Sequence, residues 1–214
     1  MLQKNPTDAR RALARLREGN ARFSTNVRCL DTMAGLARRA EHLDGQAPFA
    51  VVLSCSDSRV PSEMVFDCGL GHLFVVRVAG NVVAPSLVGS VEFAVAKLGT
   101  PLAVVMGHSG CGAVTATLDA LGGDQPASLS DNIRDIVERI SPAVAELARL
   151  GLPREELVRA AVRANVRASV EQLRRGSRLL EERLAEGELL VVGAEYSLET
   201  GEVEFFDGLG ALSG

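Results

Sequence analysis

Tryptophan is absent from the 214-residue chain, and one tyrosine and seven phenylalanines make up its aromatics. Nearly half the residues are hydrophobic, so the core must be aliphatic, packed mainly from Val, Leu and Ala. No uninterrupted apolar run approaches the ~18 residues of a membrane span. The N-terminal MLQKNPTDARRALARLREGN also lacks the ~7–15-residue apolar stretch of a signal peptide. Both absences point to a cytoplasmic protein with no membrane partner. A strong charge of one sign is missing too: a net charge of −4 gives no electrostatic case for a nucleic-acid partner. The paired arginines (Arg10–Arg11, Arg38–Arg39, Arg174–Arg175) are interleaved with acids and read as solvated helix faces. In a reducing compartment the four cysteines read as metal ligands, reactive thiols or core filler before disulfides. A chain of this length buries ~70% of the surface its unfolded form exposes, so it needs no such staples.

What is present falls into a clear order. Thr7–Asn20 is expected to be a helix, capped by Thr7 or Asp8, with Leu13 and Leu16 on one face and Gly19–Asn20 as its end. Met33–His42 reads as a second helix. The runs Phe49–Ser54, Leu73–Val78 and Leu102–Gly107 are short, apolar and rich in valine, which suits strands covered on both faces of a parallel sheet. Between the last two, Ser86–Leu98 repeats apolar residues every three or four positions, as a crossover helix does. Gly122–Ser130 has the composition of a loop. Ser141–Pro142 reads as an N-cap followed by proline at the first helical position, with Gly151 and Pro153 as the stop. Val158, Val162, Val166, Val170 and Leu173 mark one stripe of a further long helix. Leu189–Ala194 and Glu202–Phe206 flank a turn and should form a hairpin. The expected class is α/β: a central, mostly parallel sheet flanked by helices, within a single domain spanning 1–214. Residues 1–45 form an N-terminal helical arm, 46–214 the α/β core, and the C-terminal region is helical.

Two of the strands end in metal-capable residues. Phe49–Ser54 runs into Cys55-Ser56-Asp57-Ser58-Arg59, and Leu102–Gly107 into His108-Ser109-Gly110-Cys111-Gly112. Ligands of open parallel sheets bind beyond the carboxyl ends of the strands, where strand order reverses. If these strands are neighbours, Cys55, His108 and Cys111 converge there. Two thiolates and an imidazole are a zinc-type set, and three protein ligands leave a fourth position open. Gly107, Gly110 and Gly112 would let the backbone turn tightly enough to aim His108 and Cys111 inward. Spacing alone leaves a second reading open, that of buried structural cysteines.

CSDSRVPSE (Cys55–Glu63) with GHSGCGAV (Gly107–Val114) resembles the paired signature of the β-class carbonic anhydrases. EGNARF (Glu18–Phe23), FVVRVAGNVV (Phe74–Val83) and GSVEFAVAKLG (Gly89–Gly99) resemble that family as well. The resemblance implies Zn2+ on Cys55, His108 and Cys111, and reversible hydration of carbon dioxide to bicarbonate. It assigns Asp57 and Arg59 to the family's aspartate–arginine pair, in which the aspartate either takes the fourth zinc position or turns to the arginine. A bidentate, charge-assisted bond is the physical alternative that Arg59 offers; the residues alone would equally suit a structural ion pair. Zinc with three neutral histidines brings bound water to a pKa of ~7. Two thiolates donate more charge, so activity is expected to rise into the alkaline range.

By the same resemblance Phe74, Ala79 and Gly112 would line the substrate pocket. The family is dimeric or larger, which implies a homodimer or homotetramer, with the N-terminal helix wrapping the partner. One position departs from the pattern. Phe66-Asp67-Cys68-Gly69 carries Cys68 where the family usually has a substrate-binding glutamine, and a thiol is a poor hydrogen-bond donor. Cys68 is then a tolerated change, a mark of altered substrate choice such as carbonyl sulfide, or an extra metal or redox contact. A catalytically silent zinc protein is a third functional class, opposed by the intact Asp57–Arg59 pair. Val52 stands where some relatives use a tryptophan for a non-catalytic bicarbonate site, so that regulation is not expected. His42 reads as solvated, His72 as a turn residue and Cys29 as a lone thiol. Gly69-Leu70-Gly71 precedes a strand instead of opening a helix and is no dinucleotide fingerprint.

Overall fold

The computed structural model describes residues 6–27, 39–40, 42–123 and 130–212. Cys29 and most of the expected Met33–His42 helix lie outside these residues. The elements are α1 (Pro6–Ser24), β1 (Ala50–Ser54), α2 (Ser62–Val65), β2 (Leu73–Arg77), α3 (Pro85–Lys97), β3 (Leu102–His108) and α4 (Gly112–Gly122). They continue with α5 (Asp131–Ala148), α6 (Arg154–Arg175), α7 (Arg178–Ala185), β4 (Leu190–Tyr196) and β5 (Val203–Asp207). Among the described residues the strands form one sheet in the order β2-β1-β3-β4-β5. The first four are parallel to one another, and β5 returns antiparallel to β4, as the hairpin reading required.

The valine runs are continuous because both faces of the sheet are covered. Successive residues feed opposite cores. Val52, Val104, Met106 and Val192 point to the side of α1 and α2. Val51, Leu53, Val105 and Val191 point to the side of α3 and α6. Each such side chain, fully buried, contributes roughly 1.5–3 kcal/mol. A third apolar cluster joins Cys55 and Cys111 to Val114, Ile140, Val144 and Val162 from α4, α5 and α6.

Three expectations change. The first concerns α1, which does not end at Gly19–Asn20 but continues to Ser24. Gly19 is there for proximity: a Cβ on it would lie 1.9 Å from the Phe66 carbonyl oxygen. Asn20, also buried, donates to the carbonyls of Val65 (3.1 Å) and Gly201 (2.9 Å) and accepts from the Val203 amide (2.7 Å). Leu13 and Leu16 pack into the same chain's core.

Second, the helix expected to start at Ser141–Pro142 starts at Asp131, with Ser130 as the N-cap accepting from the Ile133 amide. Pro142 lies inside it. Val137, Ile140 and Val144 are buried on both sides of the proline, and this packing outweighs one missing backbone bond. Third, His42 is half-buried over Gly71, where a Cβ would meet its ring at 2.5 Å. Gly122 closes α4, with Gly123 as a left-handed cap (φ 89°); residues 124–129 of the expected loop lie outside the described residues.

Candidate metal centre

β1 and β3 are adjacent and parallel, with Ser54 beside Met106, so both strands deliver their next residues to the same edge of the sheet. Cys55 leaves β1 there, His108 ends β3, and Cys111 caps the N-terminus of α4. One donor atom from each of the three lies within 4.8 Å of the others. All three are buried, His108 completely. The glycines divide by reason. Gly110 takes a left-handed φ of 63°. Gly107 is needed for room, since a Cβ would sit 2.6 Å from Val166. Nothing lies within 4 Å of a Cβ on Gly112.

The donors fit a metal ion. His108 Nδ1 is 2.9 Å from the Ser109 carbonyl and donates its proton there, which assigns the lone pair to Nε2. That Nε2 is buried with no hydrogen-bond partner among the described residues. An orphan of this kind costs about 1–3 kcal/mol unless something takes the lone pair. Cys55 Sγ accepts the amides of Asp57 and Gly80, each at 3.4 Å. The Cys111 thiol pointing at Cys55, helped by the nearby His108 and by these amides, outweighs burial and holds the Cys55 thiol well below its usual range. Cys111 moves the opposite way, because the two sulfurs share one proton that a cation would displace.

Beside the cluster stands the carboxylate–guanidinium pair. Arg59 Nε and Nη2 donate to Asp57 Oδ1 (2.9 Å) and Oδ2 (2.7 Å), and the Arg59 amide adds a third bond at 3.0 Å. These bonds hold the Asp57 carboxyl well below the usual carboxylate range. Asp57 Oδ2 is 3.9 Å from His108 Nε2. Arg59 is largely exposed, so this side of the site faces water.

Several residues that hold the site were not read from the sequence. Arg77 donates to the carbonyls of Cys55 (3.1 Å) and Asp57 (2.7 Å), fixing the loop that carries the first ligand. Its signal was available: it is the polar end of β2, in register with Ser54. Ser109 is held by the Tyr196 carbonyl and bonds Glu199 and the Leu198 amide through its hydroxyl. Of the expected pocket residues, Ala79 opens the turn whose Gly80 bonds Cys55, and Gly112 follows Cys111. Phe74 packs into the α3-side core, its ring 6.2 Å from Phe93. Cys68 packs on the other face of the sheet against the α1-side core, its S–H donating to the Phe66 carbonyl at 3.3 Å.

A parallel sheet that gathers two thiols and an imidazole at its strand ends, next to an open aqueous side, defines a zinc-dependent hydro-lyase or hydrolase centre. Comparison with known proteins narrows this class. A family model described as carbonic anhydrase matches residues 50–203. The chain is 43% identical to a carbonic anhydrase of Mycolicibacterium smegmatis, over 99% of this chain and 98% of that one. Its fold is similar to that of the β-carbonic anhydrase CcaA (TM-score 0.70, 27% identity, 92% of this chain and 88% of that one). It is similar too to a tetrameric β-carbonic anhydrase of Sordaria macrospora (TM-score 0.66, 25% identity, 79% and 88%). The chain belongs to the β-carbonic anhydrase family. Its activity is the reversible hydration of carbon dioxide to bicarbonate and a proton, with zinc as cofactor and the Cys55–His108–Cys111 group as its fitting site.

Proposed function

We propose that Asp57 and Arg59 together govern entry to the metal, and that this pair is the catalytic complement of the three ligands. Cys55, His108 and Cys111 would hold the zinc, which would supply Lewis acidity to lower the pKa of water. Asp57 would lie within reach of an ion held by the three donors, since its Oδ2 stands 3.9 Å from His108 Nε2. That distance, combined with the two-pronged bond to Arg59, is the observation that carries the reading. With Arg59 engaged, Asp57 is held off the metal, and its carboxylate remains free to accept a hydrogen bond and orient the reacting oxygen. Ala79 and Gly112 flank the ligands, and with Phe74 they are assigned to the apolar lining for carbon dioxide.

Stopped-flow hydration of carbon dioxide tests the gate. Arg59→Met leaves Asp57 without its alternative partner, so kcat/KM at neutral pH should fall by about 10²-fold. An unchanged rate would reduce the pair to a structural ion pair. Wild-type activity should rise from mildly acid to alkaline pH, and a flat profile would remove the gate as its source. Cys68→Gln, assayed with carbon dioxide and with carbonyl sulfide, decides whether the thiol position tunes substrate choice.

The remaining assignments follow the same family reading. A homodimer or homotetramer is supported by the tetrameric relative from Sordaria macrospora. One domain spanning 1–214 is supported by α1 sharing a core with the sheet. Among the described residues no helix is long and apolar enough to cross a membrane. Cytoplasmic action rests on the need to keep Cys55 and Cys111 reduced as ligands.

A further inference from the structure

The buried stripe of α6 is not uniformly apolar. Asn165 and Ser169, four residues apart on one face, are each only 2% exposed among Val162, Val166 and Val170. Both have found partners, and the partners belong to one short turn. Asn165 Nδ2 donates to the Gly80 carbonyl at 2.8 Å, and Ser169 Oγ to the Asn81 carbonyl at 3.1 Å.

That turn follows β2 and is left-handed at two successive residues, Gly80 (φ 68°) and Asn81 (φ 44°). L-residues avoid this region, and Asn tolerates it best after Gly. Gly80 is also wedged: a Cβ would lie 2.7 Å from Ile140 and 3.0 Å from Ala113, two residues beyond Cys111. The conformation aims the Gly80 amide at Cys55 Sγ, 3.4 Å away. A continuous path therefore runs from α6, through the single residue Gly80, to a metal ligand.

We propose that Asn165, with Ser169 one turn further along, is a positioning residue that holds the Gly80 amide against the Cys55 sulfur. It thereby sets how much charge that thiolate gives the metal. An N–H donor draws electron density from a thiolate, so the sulfur lone pairs lie lower in energy when the bond is made. Among the described residues the hydrogen bonds of both side chains go to the turn and not to the ligands.

Cobalt substitution reads the sulfur directly, through its near-ultraviolet sulfur-to-metal charge-transfer band. Asn165→Leu keeps the branched shape and heavy-atom count of the side chain and removes the donor. Its band should move to longer wavelength, and zinc, held by a sulfur no longer fixed in position, should pass to excess chelator about 10-fold faster than from the wild type. Ser169→Ala should shift both readings in the same direction by less. Val170→Ala, which removes core volume facing Gly193, should lower Tm with the band unmoved. If Asn165→Leu lowers Tm but leaves the band in place, the residue is purely structural and the proposal fails. If Asn165→Leu does not fold, Ser169→Ala decides: a band that stays put overturns the proposal.

Discussion

The Cys68 sulfur shows how position changes what a residue can do. Burial against the α1-side core pushes its thiol up to about 12, and the charge of Arg15 only partly opposes this. A group whose folded pKa is raised keeps its stabilising contribution below the unfolded value of 9.0 and loses it as pH climbs through the folded one. Stability should therefore decline between pH 9 and 12, less steeply in Cys68→Ala. The three-unit difference also means roughly 10³-fold less thiolate than in the unfolded chain. At pH 8 iodoacetamide should label Cys68 far more slowly in the native protein than in denaturant, followed by mass spectrometry of its peptide. Equal rates would place the thiol in water. The sequence marked Cys68 as unusual through its motif, but its environment depends on α1, which lies some fifty residues away and leaves no trace in the local pattern.

At the scale of elements, the strands were legible because a parallel sheet leaves a strong signature: β1 to β4 are unbroken apolar runs in a chain with few others. The ends of helices were less so, since Gly and Pro serve packing as well as punctuation. Gly19 illustrates the difference. Helix propensity alone favours Ala over Gly at an interior position by about 1 kcal/mol. Here the added methyl would press within 1.9 Å of a backbone oxygen that cannot rotate away. Overpacking of this kind costs about 1–3 kcal/mol, so Gly19→Ala should lower stability despite its better propensity. Urea denaturation measures the sign, and a gain would mean that α1 can lift from Phe66 without cost. Pro142 is the converse case. The Ser-Pro pair mimics a helix start, yet the stripe of Val137, Ile140 and Val144 continues through it toward α4.

For the whole molecule, three ligands on two strand ends could be read because topology alone makes neighbouring strands converge. Asn20 and Asn165 could not, because each acts on an element distant in sequence. The same scale governs assembly. Three of the exposed large apolar side chains, Met64, Leu70 and Phe93, belong to the stretch from α2 to α3 that brackets the edge strand β2. A groove of about 760 Å³ between α3 and α6 includes Val83, Ala84, Pro85 and Val88 beside Glu92, Glu171 and Arg175. Apolar surface gathered at the edge of a sheet favours association over solvation. The homodimer proposed above would form favourably at this edge. Phe93→Glu puts a charge at its centre, and should shift the species seen by light scattering toward monomer at micromolar protein. The metal ligands pack in a separate cluster from Phe93, so zinc content should remain at wild-type level in the same variant. An unchanged mass would move the interface elsewhere, whereas a monomer that has also lost its zinc would tie the metal centre to the interface.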